Sequence, residues 1–118
     1  MIKLVSLFHR RPGMTKEEFI AYYEQYHRKI GEKVLGGYAT RYVRRYLTSA
    51  AEVTEDDPDV LMEIWFPDRA THDACFAAIA EPDQMAEILA DEERLFDRSR
   101  MRSFTVEEYE SDMTGVKV

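Results

Sequence analysis

His27 is the side chain in this 118-residue chain best suited to moving protons. An imidazole titrates near pH 6.5, so it takes or gives a proton around neutrality. Beside a pocket it would remove a proton next to a carbonyl or protonate a departing hydroxyl, with no metal or cofactor required. The competing reading is a helix-end histidine bonded to backbone. Tyr22, Tyr23 and Tyr26 precede it closely. Their rings suit a flat ligand and a phenol can donate to a developing oxyanion, although core or interface packing explains the same residues. Tyr23, four residues before His27, is the tyrosine placed to share its cleft. Glu63 interrupts an apolar run between Met62 and Ile64. It would orient His27 or serve as a second acid–base group, with burial raising its pKa; the alternative is an ion pair with Arg41, Arg44 or Arg45. Trp65 shares its strand face and would floor a pocket.

Other reactive side chains point to less. His9 and His72 have no HxxxH or HxH partner, so no metal site is expected. The acidic runs Glu55-Asp56-Asp57 and Asp91-Glu92-Glu93 lack calcium-loop spacing and read as solvated faces. Cys75 is the single cysteine, which excludes an internal disulfide and any CxxC pattern; it reads as a small buried apolar residue. There is no phosphate loop, serine elbow or nucleotide fingerprint, so no cofactor is expected.

The elements that would position these residues follow from periodicity. Thr15 and Glu18 make a capping box, opening a helix on which Phe19, Tyr23, Tyr26 and Ile30 share one side. At about 100° per residue His27 lies roughly 80° from Phe19, at the edge of that stripe. Gly36-Gly37 is the first stop signal. Strands are expected over Ile2–His9, Tyr38–Leu47, Asp59–Phe66 and Met101–Tyr109. After Pro67-Asp68 a helix capped by Asp68 or Thr71 carries Cys75, and after Pro82 a further segment runs from about Asp83 through Ile88 to Phe96. Residues 1–110 then form one domain and 111–118 a C-terminal tail.

The order β-α-β-β-α-β predicts an α+β, ferredoxin-like fold: an antiparallel four-stranded sheet with helices on one face. The strands carry apolar or aromatic residues on both sides, so the other face would be bare in a monomer. Large exposed apolar surface marks association, and a homodimer closing through the open sheet face is expected. A formal net charge of -7 argues against nucleic acid and anionic membranes as partners. No apolar run reaches the roughly 20 residues of a membrane span. With no signal-peptide order at Met1–Gly13, a cytoplasmic location is expected.

Here the residues resemble a known family. Arg11-Pro12-Gly13-Met14-Thr15, then Glu17-Glu18-Phe19, Tyr22-Tyr23 and His27, look like the signature of EthD-domain proteins. Tyr42-Val43 and Glu63-Ile64-Trp65-Phe66 look like the family's later motifs, and Asp91-Glu92 with Phe96 agree less specifically. The resemblance implies a dimeric α+β barrel. It also implies a style of chemistry, since such relatives include proteins linked to ether degradation, lactone isomerases, and dehydratases, decarboxylases and cyclases acting on polyketides or aromatics. The chain departs from the pattern at Arg44-Arg45-Tyr46, where many members carry amide or other polar residues.

The reading that results is a cofactor-independent lyase or isomerase of dehydratase, decarboxylase or cyclase type. Its substrate would be a small hydrophobic, oxygenated or polyketide-like molecule. His27 would be the catalytic acid–base group, and Tyr23, Tyr42, Glu63 and Trp65 would bind substrate. Two alternatives stay open: a cofactor-free or haem-using monooxygenase on the same barrel, and a non-catalytic barrel that binds a small ligand.

Overall fold

The computed structural model describes residues 1–117, so Val118, the end of the expected tail, lies outside the described residues. Four strands, β1 (Ile2–Phe8), β2 (Arg41–Tyr46), β3 (Val60–Phe66) and β4 (Arg102–Thr105), form one antiparallel sheet in the order β2-β3-β1-β4. Helical segments α1 (Lys16–Tyr22) and α2 (Arg28–Leu35) follow β1, and α3 (Arg69–Ile79) and α4 (Pro82–Glu92) follow β3. This is the α+β, ferredoxin-like arrangement expected from element order. No helix among the described residues is long and apolar enough to cross a membrane.

The helix starts follow the sequence signals. Thr15 Oγ1 accepts the Glu18 N–H at 3.1 Å while Glu18 accepts the Thr15 N–H at 3.0 Å, satisfying two donors at the helix N-terminus. Asp68 caps α3 through the Thr71 N–H at 2.7 Å. Pro82 opens α4 from its first turn instead of delaying it, because an N1 proline loses no intrahelical bond.

Besides one-residue shifts at strand ends, four features differ from expectation. Between α1 and α2 the helix passes through a π-helical turn, Tyr23–His27, in which the Arg28 N–H reaches Tyr23 O, five residues back. Each residue there turns the helix through a smaller angle than in an α-helix. His27 therefore comes round toward the Phe19–Tyr23 side, and Tyr26, expected inside, is 55% exposed. The last helix ends at Glu92 and does not reach Phe96. Arg11 N–H instead bonds Leu95 O at 2.8 Å and Asp97 N–H bonds His9 O at 2.9 Å, which requires an unwound chain. The second strand begins at Arg41, since the Tyr38 and Ala39 N–H groups close off α2 on Leu35 O. β4 stops at Thr105. Beyond Val106, which bonds Lys3 O, the antiparallel register runs off the start of β1.

Strand alternation gives the sheet two unlike faces. Ile2, Leu4, Ser6, Phe8, Val60, Met62, Ile64, Phe66, Tyr42 and Tyr46 belong to one face, covered by helices. Lys3, Val5, Leu7, Arg41, Val43, Arg45, Leu61, Glu63, Trp65, Arg102 and Phe104 occupy the other, which no helix among the described residues covers. The core has two clusters on the covered face. Phe8, Phe19, Tyr23, Val60, Leu95 and Phe96 form one; Val34, Leu35, Ile64, Phe66 and Cys75 form the other.

Candidate active site

A cavity of about 270 Å³ lies at the seam between the two clusters. Phe8, Tyr23 and Phe96 line it from the first cluster, and Val34, Leu35 and Ile64 from the second, with Met62 in reach of both. Its size is near the low end of ligand pockets, roughly 300–1,000 Å³, and like them it is an apolar space with a few polar groups. Those groups are His27, Glu92, the hydroxyls of Tyr23 and Tyr42, and the Ser6–Ser103 pair.

His27 is held on one nitrogen. Its Nδ1 lies 2.9 Å from Asp91 Oδ2, and Tyr22 Oη donates to the other oxygen of the same carboxylate. An ionised carboxylate only accepts, so Nδ1 carries the proton and the lone pair of the neutral ring is on Nε2. Nε2 has no hydrogen-bond partner among the described residues, on a ring that lines the cavity. Tyr23 and Phe96 stand edge-on to the imidazole at centroid distances of 5.1 and 5.2 Å. Burial among these rings pushes the His27 pKa below its ordinary value, against the upward pull of Asp91. The free base is therefore favoured at neutral pH.

Glu92 supplies a group of opposite tendency. It is 9% exposed, its carboxyl makes no hydrogen bond among the described residues, and it lines the same cavity. Burial raises its pKa, aided by Asp91 and opposed by Arg98. A base made weaker and an acid made weaker thus face one space, the pattern of a general base beside a general acid.

The wall from β2 is set by two contacts. Arg44 forms a bidentate pair with Glu24 at 2.7 and 2.9 Å, and Tyr46 Oη donates to Glu24 as well, tying the π turn to β2. Tyr42 Oη then comes to 3.3 Å from Tyr23 Oη, over Gly31. A Cβ at Gly31 would stand 2.7 Å from Tyr42 Oη, so the absence of a side chain there makes room for the ring. Ser6 Oγ and Ser103 Oγ, 2.8 Å apart, give the sheet side a hydroxyl pair.

The structure gathers His27, Tyr23 and Tyr42 at this cavity but not Glu63 or Trp65. Both lie on the opposite sheet face, as their pairing with Val5, Lys3, Val43 and Arg41 requires. The expectation that Glu63 orients His27 is thereby corrected. Glu63, 4% exposed, is instead bound by Lys3 and Arg45, and Trp65 lies under Lys3 and Arg41 at 4.6 and 4.4 Å. Burial pushes the Glu63 carboxyl up, but the two cations outweigh it and its pKa is lowered. Asp91 and Glu92, expected on a solvated face, are 7% and 9% exposed. The available signal was their spacing from Ile88, which places them one helical turn on, beside the cavity wall.

A larger groove, about 890 Å³, opens among the loops at the end of the sheet, around Arg10, Lys16, Ser49, Asp59 and Arg100. Three of its cations are already engaged: Arg10 with Asp59, Lys16 with Leu47 O, Arg100 with Glu55 O. Among the described residues no three His, Cys, Asp or Glu side chains converge as a metal ion would require.

Comparison with curated proteins gives no match. Solved structures match over nearly the whole chain. An ethyl tert-butyl ether (EthD) family protein from Bacillus halodurans aligns with a TM-score of 0.65 and 16% identity, covering 92% of this chain and 99% of its own. A protein from Arabidopsis thaliana gives 0.63 and 13%, covering 95% and 99%. A dimeric protein of ferredoxin-like fold from Bacteroides fragilis gives 0.60 and 12%, covering 91% and 95%. These likenesses establish the fold. The EthD domain model matches residues 11–99, from the Arg11-Pro12-Gly13 turn through His27, Asp91 and Glu92. By that match over most of its length, this chain belongs to the EthD-domain family.

Proposed function

We propose that this protein is a cofactor-independent lyase or isomerase, of dehydratase, decarboxylase or cyclase type, acting on a small hydrophobic oxygenated or polyketide-like molecule. The observation that carries the reading is an imidazole held by Asp91 on one nitrogen and free on the other, at an apolar cavity. His27 Nε2 removes the proton next to the substrate carbonyl. Asp91 keeps the ring in its tautomer and stabilises the imidazolium as it forms. Tyr23 and Tyr42 hydroxyls bind substrate oxygen, and apolar walls hold its carbon frame. In a dehydration, Glu92 gives its proton to the departing hydroxyl, so water leaves and solvent returns the His27 proton to Glu92. The same reading takes the protein as a homodimer joined through the open sheet face.

The test is turnover of a panel of enolisable aromatic and β-hydroxy ketones by purified protein, under argon and with a chelator present. Retained turnover that His27→Gln lowers by about 10²–10⁴-fold supports the mechanism, the range expected for one proton-transfer group. Turnover that stops without oxygen, or a haem absorption band in active protein, turns the assignment to a monooxygenase. Tight binding of panel compounds with no turnover turns it to a ligand-binding barrel.

A further inference from the structure

The open sheet face is more cationic than apolar association alone would ask. Lys3, Arg41, Arg45 and Arg102 share it with one carboxylate, Glu63. Lys3 and Arg45 are paired with Glu63. Arg41 and Arg102, on strands at opposite edges of the sheet, have no carboxylate partner among the described residues; they stack on Trp65 and Phe104 instead. Two copies brought together by this face alone would set like charges against each other, which is unfavourable in a closed interface.

The segment after β4 has the complementary chemistry. Residues 107–112 read Glu-Glu-Tyr-Glu-Ser-Asp, four carboxylates in six residues. Tyr109 is 89% exposed, and Met113 and Val116 are also largely uncovered. The Cα radius of gyration is 16.2 Å, whereas a compact chain of this length has about 13.5 Å, consistent with an arm that leaves the body. Where the arm begins, Glu108 already pairs with Lys3 at 3.0 Å, so carboxylates of this segment and cations of this face are compatible partners.

We infer that the acidic arm, residues 107–113, docks on the open sheet face of a second copy of this chain, its carboxylates meeting Arg41 and Arg102 while Tyr109 and Met113 cover the exposed apolar side chains. The exchange is reciprocal, as two-fold symmetry requires. The inference rests on the homodimer reading and adds what makes that face self-complementary.

Sedimentation equilibrium of the full chain tests it. Two charge-reversed variants are made: one with Arg41→Glu and Arg102→Glu, the other with Glu107, Glu108, Glu110 and Asp112 each changed to Lys. Each alone is expected to dimerise at least 10-fold more weakly than the parent, and their equimolar mixture to form a heterodimer of near-parental affinity. Ending the chain after Val106 should weaken the dimer similarly. Replacing the four arm carboxylates by their amides should flatten its salt dependence, since screening acts on the charge pairs. A chain ended after Val106 that dimerises as tightly as the parent, or reversed variants that gain nothing on mixing, overturns the arm inference and leaves the dimer. A full chain that stays monomeric overturns both.

Discussion

The two faces of this sheet are built from alternate residues of the same strands, yet they are organised by different physics. On the covered face polar groups are few and aimed: an imidazole fixed by a carboxylate, a tyrosine pair and a serine pair around a small apolar cavity. On the open face charges are many and mutually paired or stacked, with Glu63 clamped between Lys3 and Arg45. Met62 lines the cavity while Glu63, the next residue, faces away from it. The difference shows that a buried carboxylate is not by itself a sign of chemistry. Glu63 has both its oxygens engaged by cations and is held ionised, whereas Glu92 has no bonded cation among the described residues and is held toward its neutral form. The second state is the one that can deliver a proton.

The contrast breaks most visibly at its two key residues. His27→Ala should lower turnover by about 10²–10⁴-fold, while Glu63→Gln on the other face should leave kcat/KM within about threefold, the scatter of remote substitutions. Equal losses from both, in steady-state assays with a shared substrate, would contradict the division of the sheet into two jobs. Next in size is Asp91→Asn. Asparagine can still occupy the site but neither fixes the tautomer nor stabilises the imidazolium, so kcat should drop by up to about 10⁴-fold with KM little changed; a change confined to KM would make Asp91 a binding group instead.

Gly31→Ala sharpens the geometry of the covered face. The new methyl forces the Tyr42 ring toward the cavity, and overpacking of this kind costs about 1–3 kcal/mol. Thermal unfolding should show that loss together with weaker binding of any ligand that fills the cavity. Glu63→Gln should in turn cost about 1–2 kcal/mol in urea unfolding at pH 7, the scale of a lost charge-assisted hydrogen bond to partly exposed cations. Because the Glu63 pKa is lowered on folding, its contribution is present above pH 4.5 and is lost as pH falls through the depressed value. Variant and parent should therefore converge in acid.

The smallest effect is the pH dependence of His27. Its folded pKa is depressed by burial, so below pH 6.5 the unfolded chain takes up a proton that the native ring resists. Stability should slip as pH drops from 6.5 toward the folded value, and the acid limb of kcat/KM should lie below 6.5. Titration of the His27 ring by proton NMR measures both; a midpoint above 6.5 would mean that Asp91 dominates over burial.

Much was legible in the chain itself because it is encoded locally. Thr15 and Glu18 fix a helix start whatever surrounds them, and the alternation of Arg41 to Tyr46 and Val60 to Phe66 fixes which residues share a face. Element order then prescribes a four-stranded antiparallel sheet with helices on one side, and the Arg11-Pro12-Gly13 turn leading to His27 prescribes the family. What alternation could not say is which face the helices cover, and that alone separates Glu63 and Trp65 from His27. Nor does a helical wheel foresee the π turn, in which the chain is bonded five residues back and His27 turns inward and Tyr26 outward. Asp91 meets His27 across 64 residues of sequence. No local pattern encodes that distance; it exists only once α4 is packed beside the turn, and with it the carboxylate–imidazole pair on which the proposed chemistry depends.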